Sequence, residues 1–246
     1  MFEMIWLGVV VTGLAVWTIT DRKQYQALKT VEETARRQRF YILWTVQGFV
    51  LMVGASVITA WALGRHLPLQ TLPLEFQSLA AALQPPSSEG QGAERRIGLV
   101  IGVGFGVAIA AGVQIWRMKR AMKTIVGDVE AMIPRNRKEM LVALPLCLSA
   151  GIGEELFFRL ALPLLIASVT GSVVIAFAAS AVIFGLIHAY QGWKGIIATT
   201  FAGLFLTYVY LSSGSIIRPM ILHVVIDVLA LIVRPAIARR LSGGRR

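Results

Sequence analysis

Seven apolar runs, each near 20 residues long, dominate this chain: about 4–20, 40–63, 97–116, 141–165, 172–190, 195–212 and 216–233. A run of that length crosses the roughly 30 Å hydrocarbon layer of a bilayer as a helix. In lipid every backbone N–H and C=O must be satisfied internally, which leaves only helices and closed barrels. Barrel strands alternate apolar and polar in short segments, and these runs do not. The expectation is an all-α polytopic membrane protein with about seven transmembrane helices. Composition agrees: 56% of residues are hydrophobic, 15% are charged and the mean hydropathy is +0.70, too apolar for a soluble domain.

A net charge of +11 does not point to nucleic acid here. The basic residues gather between spans, where they set topology and meet anionic lipid. The first connection carries Arg22, Lys23, Lys29, Arg36, Arg37 and Arg39. The third carries Arg117, Lys119, Arg120, Lys123, Arg135, Arg137 and Lys138, and the C-terminal tail carries Arg234, Arg239, Arg240, Arg245 and Arg246. With seven spans all three fall on one side, which the positive-inside rule makes cytoplasmic. The expected protein sits in the cell (inner or plasma) membrane with its N-terminus outside and its C-terminus in the cytoplasm. No Lys or Arg precedes the first apolar run, so that run reads as a retained span rather than a cleavable signal peptide.

The outside connection, 64–96, contains the flexible stretch PPSSEGQGAE, preceded by LPLEFQSLAAAL, which fits a short helix on the membrane surface. Trp6, Trp17, Trp44, Trp61, Trp116 and Trp193 fall near span ends, where interfacial anchoring explains them. Cys147 is the single cysteine and reads as a small packing residue. The chain divides into a scaffold, residues 1–134, and a core with a basic tail, residues 135–246. The core holds every polar constellation within a span.

The first of these constellations is Glu154, Glu155 and Arg159 in LCLSAGIGEELFFRLALPLLIA. A charged side chain at the bilayer centre costs about 2.5–3.5 kcal/mol on insertion scales, so such residues are functional candidates by default. Residues four apart share a helix face. Glu155 and Arg159 therefore stack as a structural ion pair, whereas Glu154 points elsewhere and is left for acid–base chemistry. The same spacing recurs in Phe184 with His188 and in His223 with Asp227. Phe184 can wall a pocket, and Asp227 can orient or charge the His223 imidazole. Spans four and five form a hairpin turning near Thr170, which places Glu154 and His188 at nearly the same depth. The expected site is a polar cavity reached from the cytoplasmic side.

The pieces EELFFR, FGLIH and HVVID resemble the motifs E-E-x-x-x-R, F-x-x-x-H and H-x-x-x-(N/D) of the CPBP (Abi) intramembrane proteases. That family includes type II CAAX prenyl endopeptidases and bacteriocin-processing or immunity proteins. The resemblance covers roughly residues 135–235, with all three motifs in order. It implies a CPBP-like helical bundle and a metal-free glutamic endopeptidase without a cofactor. By that resemblance Glu154 and His188 activate water, while His223 and Asp227 stabilise the oxyanion, supported by Glu155, Arg159 and Phe184. The implied partners are the bilayer and a protein or peptide substrate, membrane-associated or lipidated. Two positions depart from the family pattern: Leu160 replaces a frequent Gly, and Asp227 replaces a frequent Asn. A carboxylate donates a hydrogen bond only when protonated, so Asp227 can instead hold His223 in a charged, donating form.

Two other readings stay open on sequence grounds. One is a non-catalytic membrane protein, either an immunity scaffold or a transporter with a Glu/His proton relay. Transporters usually carry internal repeats, and none is visible. The other is a zinc protease ligated by Glu154, His188 and His223, although H-E-x-x-H is absent.

Overall fold

The computed structural model describes residues 1–83 and 127–243. Among these residues the chain is helical throughout, with no strand. The helices are α1 (Phe2–Lys29), α2 (Thr34–Ala62), α3 (Leu74–Leu83), α4 (Arg137–Glu155), α5 (Leu162–Thr170), α6 (Val173–Ile187), α7 (Gly192–Ser213), α8 (Ile217–Val228) and α9 (Arg234–Gly243). Two π-helical turns, Leu156–Ala161 and Leu229–Val233, join α4 to α5 and α8 to α9. Six of the seven expected spans coincide with these helices. The third, 97–116, lies outside the described residues, as do Trp116 and the stretch PPSSEGQGAE. Among the described residues five helical segments are long and apolar enough to cross a membrane, and Val173–Ile187 is a shorter apolar helix. The protein is an all-α polytopic membrane bundle.

Capping fixes several boundaries. The Asn136 side chain accepts from Glu139 N–H at 3.0 Å and starts α4, and the Ser172 hydroxyl accepts from Ile175 N–H at 3.3 Å and starts α6. The α5–α6 hairpin turns at Gly171, whose φ of +69° is the left-handed helix stop that favours glycine. This is the turn expected near Thr170.

Both π turns follow one pattern. Leu162 N–H donates to Phe157 O, and Pro163 comes next. Arg234 N–H donates to Leu229 O, and Pro235 comes next. Proline has no N–H for the carbonyl four residues back and its ring clashes there. Widening the preceding turn to an i to i−5 bond accommodates it.

At one end of the bundle lie the C-terminal end of α1, the starts of α2 and α4, the turn Ala189–Gln191 and helix α9. Arg37 is buried there, which corrects its placement among solvated loop charges. Its Nε donates to Glu139 Oε2 at 3.0 Å, and Nη2 donates to Tyr41 Oη at 3.0 Å and Ala131 O at 2.7 Å. Starting α2 at Thr34 turns Arg37 inward against α4. At the opposite end α3 docks on the bundle rather than resting freely on lipid. Phe76 is fully buried, with its ring 4.7 Å from Phe177 and 6.3 Å from Tyr210.

Candidate active site

The three motif helices are locked together near the middle of the bundle. Glu155 is the hub. Its Oε2 lies 3.1 Å from Arg159 Nε, and its Oε1 accepts from His223 Nδ1 at 2.7 Å. Glu155 and Arg159 are almost wholly buried, and His223 is 8% exposed. The spacing pairs Glu155 with Arg159 alone and lets Asp227 orient or charge His223. The structure gives the orientation to Glu155 and leaves Asp227 at ion-pair distance. Asp227 Oδ2 stands 3.7 Å from His223 Nε2, outside hydrogen-bond range, while Glu155 holds the ring through Nδ1. The reason is the close approach of α4 and α8 at Gly151, where an added Cβ would lie 2.4 Å from Val224 Cγ2. That approach brings residue 223 beside residue 155, a contact between helices that no spacing within one helix reveals.

Glu154 points away from this pair, as expected. Its Oε2 is 4.0 Å from His223 Nε2, is buried, and has no hydrogen-bond partner among the described residues. His223 Nε2 therefore faces two carboxylates, Glu154 and Asp227, with room between them.

His188 caps the C-terminus of α6. Its Nδ1 donates to Phe184 O at 2.7 Å. Because a carbonyl only accepts, that bond puts the proton on Nδ1 and leaves Nε2 as the basic nitrogen of the neutral ring. Phe184 lies between the motifs. Its ring centroid is 4.8 Å from His188, 6.2 Å from His223 and 4.2 Å from the Arg159 guanidinium carbon. The arginine is thus held by a carboxylate on one side and a π face on the other.

A cavity of about 300 Å³ collects these groups: Glu154, Phe184, His188, His223 and Asp227 all line it. The remaining walls include Tyr190, Gln191, Val129 and Met132, so the cavity runs from mid-bundle towards the end where Arg37 is buried. Helix α1 contributes Trp17, Asp21 and Tyr25, and α2 contributes Trp44, which is 6% exposed and donates from Nε1 to Gln24 Oε1 at 2.6 Å. Trp44 is therefore buried in the wall rather than available as an interfacial anchor, and the half-buried Trp17 also lines the cavity, whereas Trp61 and Trp193 are exposed at 75% and 68%. Asp21 was not among the expected site residues. Beside Arg22 and Lys23 it reads as one of a run of solvated charges, and only its four-residue spacing from Trp17 and Tyr25 hinted at a shared inward face. Among the described residues, no group of three or more His, Cys, Asp or Glu is arranged to hold a metal ion.

The fold and cavity define a polytopic helical membrane protein with a buried carboxylate–imidazole centre. Residues 136–229 match the model of the Rce1-like family, described as type II CAAX prenyl endopeptidase Rce1-like. This match falls on the stretch where the three motifs pointed to the CAAX-protease group, and the similarity supports a CAAX-type intramembrane endopeptidase in general terms. No curated protein and no solved structure was found to match the chain.

Proposed function

We propose that this protein is a membrane-embedded glutamic endopeptidase that hydrolyses a peptide bond with water activated by Glu154 and His188, without a metal. The observation that carries the reading is the division of labour between adjacent glutamates. Glu155 is consumed by Arg159 and His223, while Glu154 faces the cavity without a hydrogen-bond partner. A buried carboxylate oxygen without a hydrogen bond is costly, and an acid–base role accounts for its presence.

In this reading water stands between Glu154 and the substrate carbonyl carbon. Glu154 takes a proton as the water oxygen bonds to that carbon. The carbonyl π pair moves onto oxygen, and His223, in its imidazolium form, donates from Nε2 to the resulting oxyanion. Preorganised donors of this kind often supply the largest part of the barrier reduction. Glu155 contributes by fixing the ring through Nδ1. Collapse of the tetrahedral species breaks the C–N bond, and the proton taken by Glu154 passes to the leaving nitrogen, directly or through His188 Nε2. Asp227 acts as counter-charge at Nε2. The substrate is a protein or peptide, membrane-associated or lipidated, and the basic end of the bundle faces the cytoplasm.

The test is cleavage of a quenched peptide library by the full chain in lipid nanodiscs. Glu154→Gln is expected to abolish turnover while melting no lower than wild type, because Glu154 Oε2 is buried without a hydrogen bond among the described residues and the His223 ring it faces is 4.0 Å away. Chelation by EDTA is expected to leave wild-type turnover intact. Cleavage by the Glu154→Gln variant at the wild-type rate would overturn the assignment.

A further inference from the structure

We infer that the cavity selects peptides carrying a basic side chain beside the scissile bond, with Asp21 of α1 as the specificity-determining residue. The inference rests on the peptidase reading of the same cavity. Among the described lining residues the charged groups are Asp21, Glu154 and Asp227, with no lysine or arginine. The deeper Glu155 is already matched by Arg159. Three carboxyl groups stand against one imidazolium at His223, so the described lining is acidic in a chain whose net charge is +11. A low-dielectric enclosure lined by one sign of charge concentrates the opposite sign.

The wall around Asp21 is of a matching kind. Trp17, Asp21 and Tyr25 recur at four-residue intervals on α1, and all three line the cavity. Tyr190 faces them, with its ring 5.1 Å from that of Tyr25. Carboxylate and aromatic faces together make the surroundings that ammonium and guanidinium groups prefer. Asp21 has no hydrogen bond or ion pair to any described residue. At the other end of the same chamber, His223 is 8% exposed and its Nε2 has no carboxylate closer than 3.7 Å. The buried Glu154 Oε2 has no hydrogen-bond partner among the described residues either. These groups are built to meet something brought in from outside. A chain with its scissile carbonyl at Glu154 and His223 and a lysine or arginine against Asp21 would satisfy both ends. A free carboxylate in the same place would meet only like charge.

The experiment uses the full chain in nanodiscs and matched peptides that differ at one position near the cleaved bond: lysine, norleucine or glutamate. The expected wild-type preference in kcat/KM is about tenfold or more for lysine over norleucine. In Asp21→Asn that ratio collapses towards one, and in Asp21→Lys it inverts to favour glutamate. Cleavage of lysine, norleucine and glutamate peptides at equal rates by wild type would overturn the inference and leave the peptidase reading intact. A second readout does not depend on turnover: photolabelling by a diazirine-bearing lysine amide, competed by arginine amide. If no library peptide is cleaved but Asp21 controls this labelling, the peptidase reading falls and the cation site stands. If neither cleavage nor labelling depends on Asp21, the inference falls.

Discussion

Substituting Gly151 with alanine tests how closely the α4–α8 crossing sets the chemistry. A Cβ at Gly151 would stand 2.4 Å from Val224 Cγ2, 2.8 Å from Val224 N and 3.1 Å from Met220 O. The valine methyl can rotate, at a cost, because β-branched side chains are stiff in helices. The backbone nitrogen and carbonyl can recede only if α8 moves. Non-bonded contact is comfortable from about 3.5 Å, so the helices must part by roughly 0.7 Å. His223 precedes Val224, and Glu155 lies one turn beyond Gly151. The same displacement therefore acts on their 2.7 Å hydrogen bond and carries it beyond the roughly 3.2 Å where such bonds end. Displacing a catalytic group by about 1 Å can cost on the order of 100-fold in rate, so this shift is expected to cost tenfold or more. Overpacking costs about 1–3 kcal/mol, of which the better helix propensity of alanine returns up to about 1 kcal/mol. The assay is peptide turnover alongside thermal unfolding in detergent. Gly13→Ala, where an added Cβ meets nothing within 4 Å, is the control and should match wild type. A Gly151→Ala protein with unaltered kcat would refute the claim that this crossing sets the His223 position.

Two further substitutions separate structure from chemistry. Glu155→Gln keeps an acceptor for His223 Nδ1 but leaves the buried Arg159 guanidinium without its counter-charge; a loss of about 3–5 kcal/mol is expected, read as a fall in melting temperature that Glu154→Gln does not show. Arg37→Ala should lose about as much, since it strands the buried Glu139 carboxylate; in this case unfolding is expected to begin at the basic end, seen as faster hydrogen exchange in residues 130–140 than in α6.

Much of this arrangement could be read from the chain before any coordinates. The span lengths gave six of the helices, and four-residue spacing gave the Glu155–Arg159 pair and the exclusion of Glu154 from it. The shared cavity of Glu154, His188 and His223 was also expected; what escaped were the particular partners that side chains find across helices. The tight partner of His223 is Glu155, 68 residues away in sequence, and no spacing rule within α8 selects it over Asp227. Gly151 is one glycine among 23, and its importance exists only against Val224. Arg37 had the right charge for a loop yet sits inside the bundle, because the helix begins earlier than hydropathy suggests. Asp21 was hidden by its basic neighbours. Dividing the chain into scaffold and core also left α1 without a functional part, although it supplies Trp17, Asp21 and Tyr25 to the cavity.

The π turn after Glu155 explains how the three motifs keep a common register. By sending Leu162 N–H to Phe157 O, it leaves Phe158 O without the amide it would have in an α-helix. Ser180 of α6 donates its hydroxyl to that carbonyl. Ser180, Phe184 and His188 lie four residues apart on one face of α6. Fixing the first against the π turn therefore sets the other two, with Phe184 against the Arg159 guanidinium and His188 at the cavity wall. The same stretch of chain grips α8 through Glu155 and His223. A proline at 163 thus perturbs its helix at the one place where the freed backbone group can tie a neighbouring helix in register. Restoring regular α-helix there would not merely straighten the span: it would leave Ser180 without its acceptor and detach the histidine on α6 from the glutamates on α4.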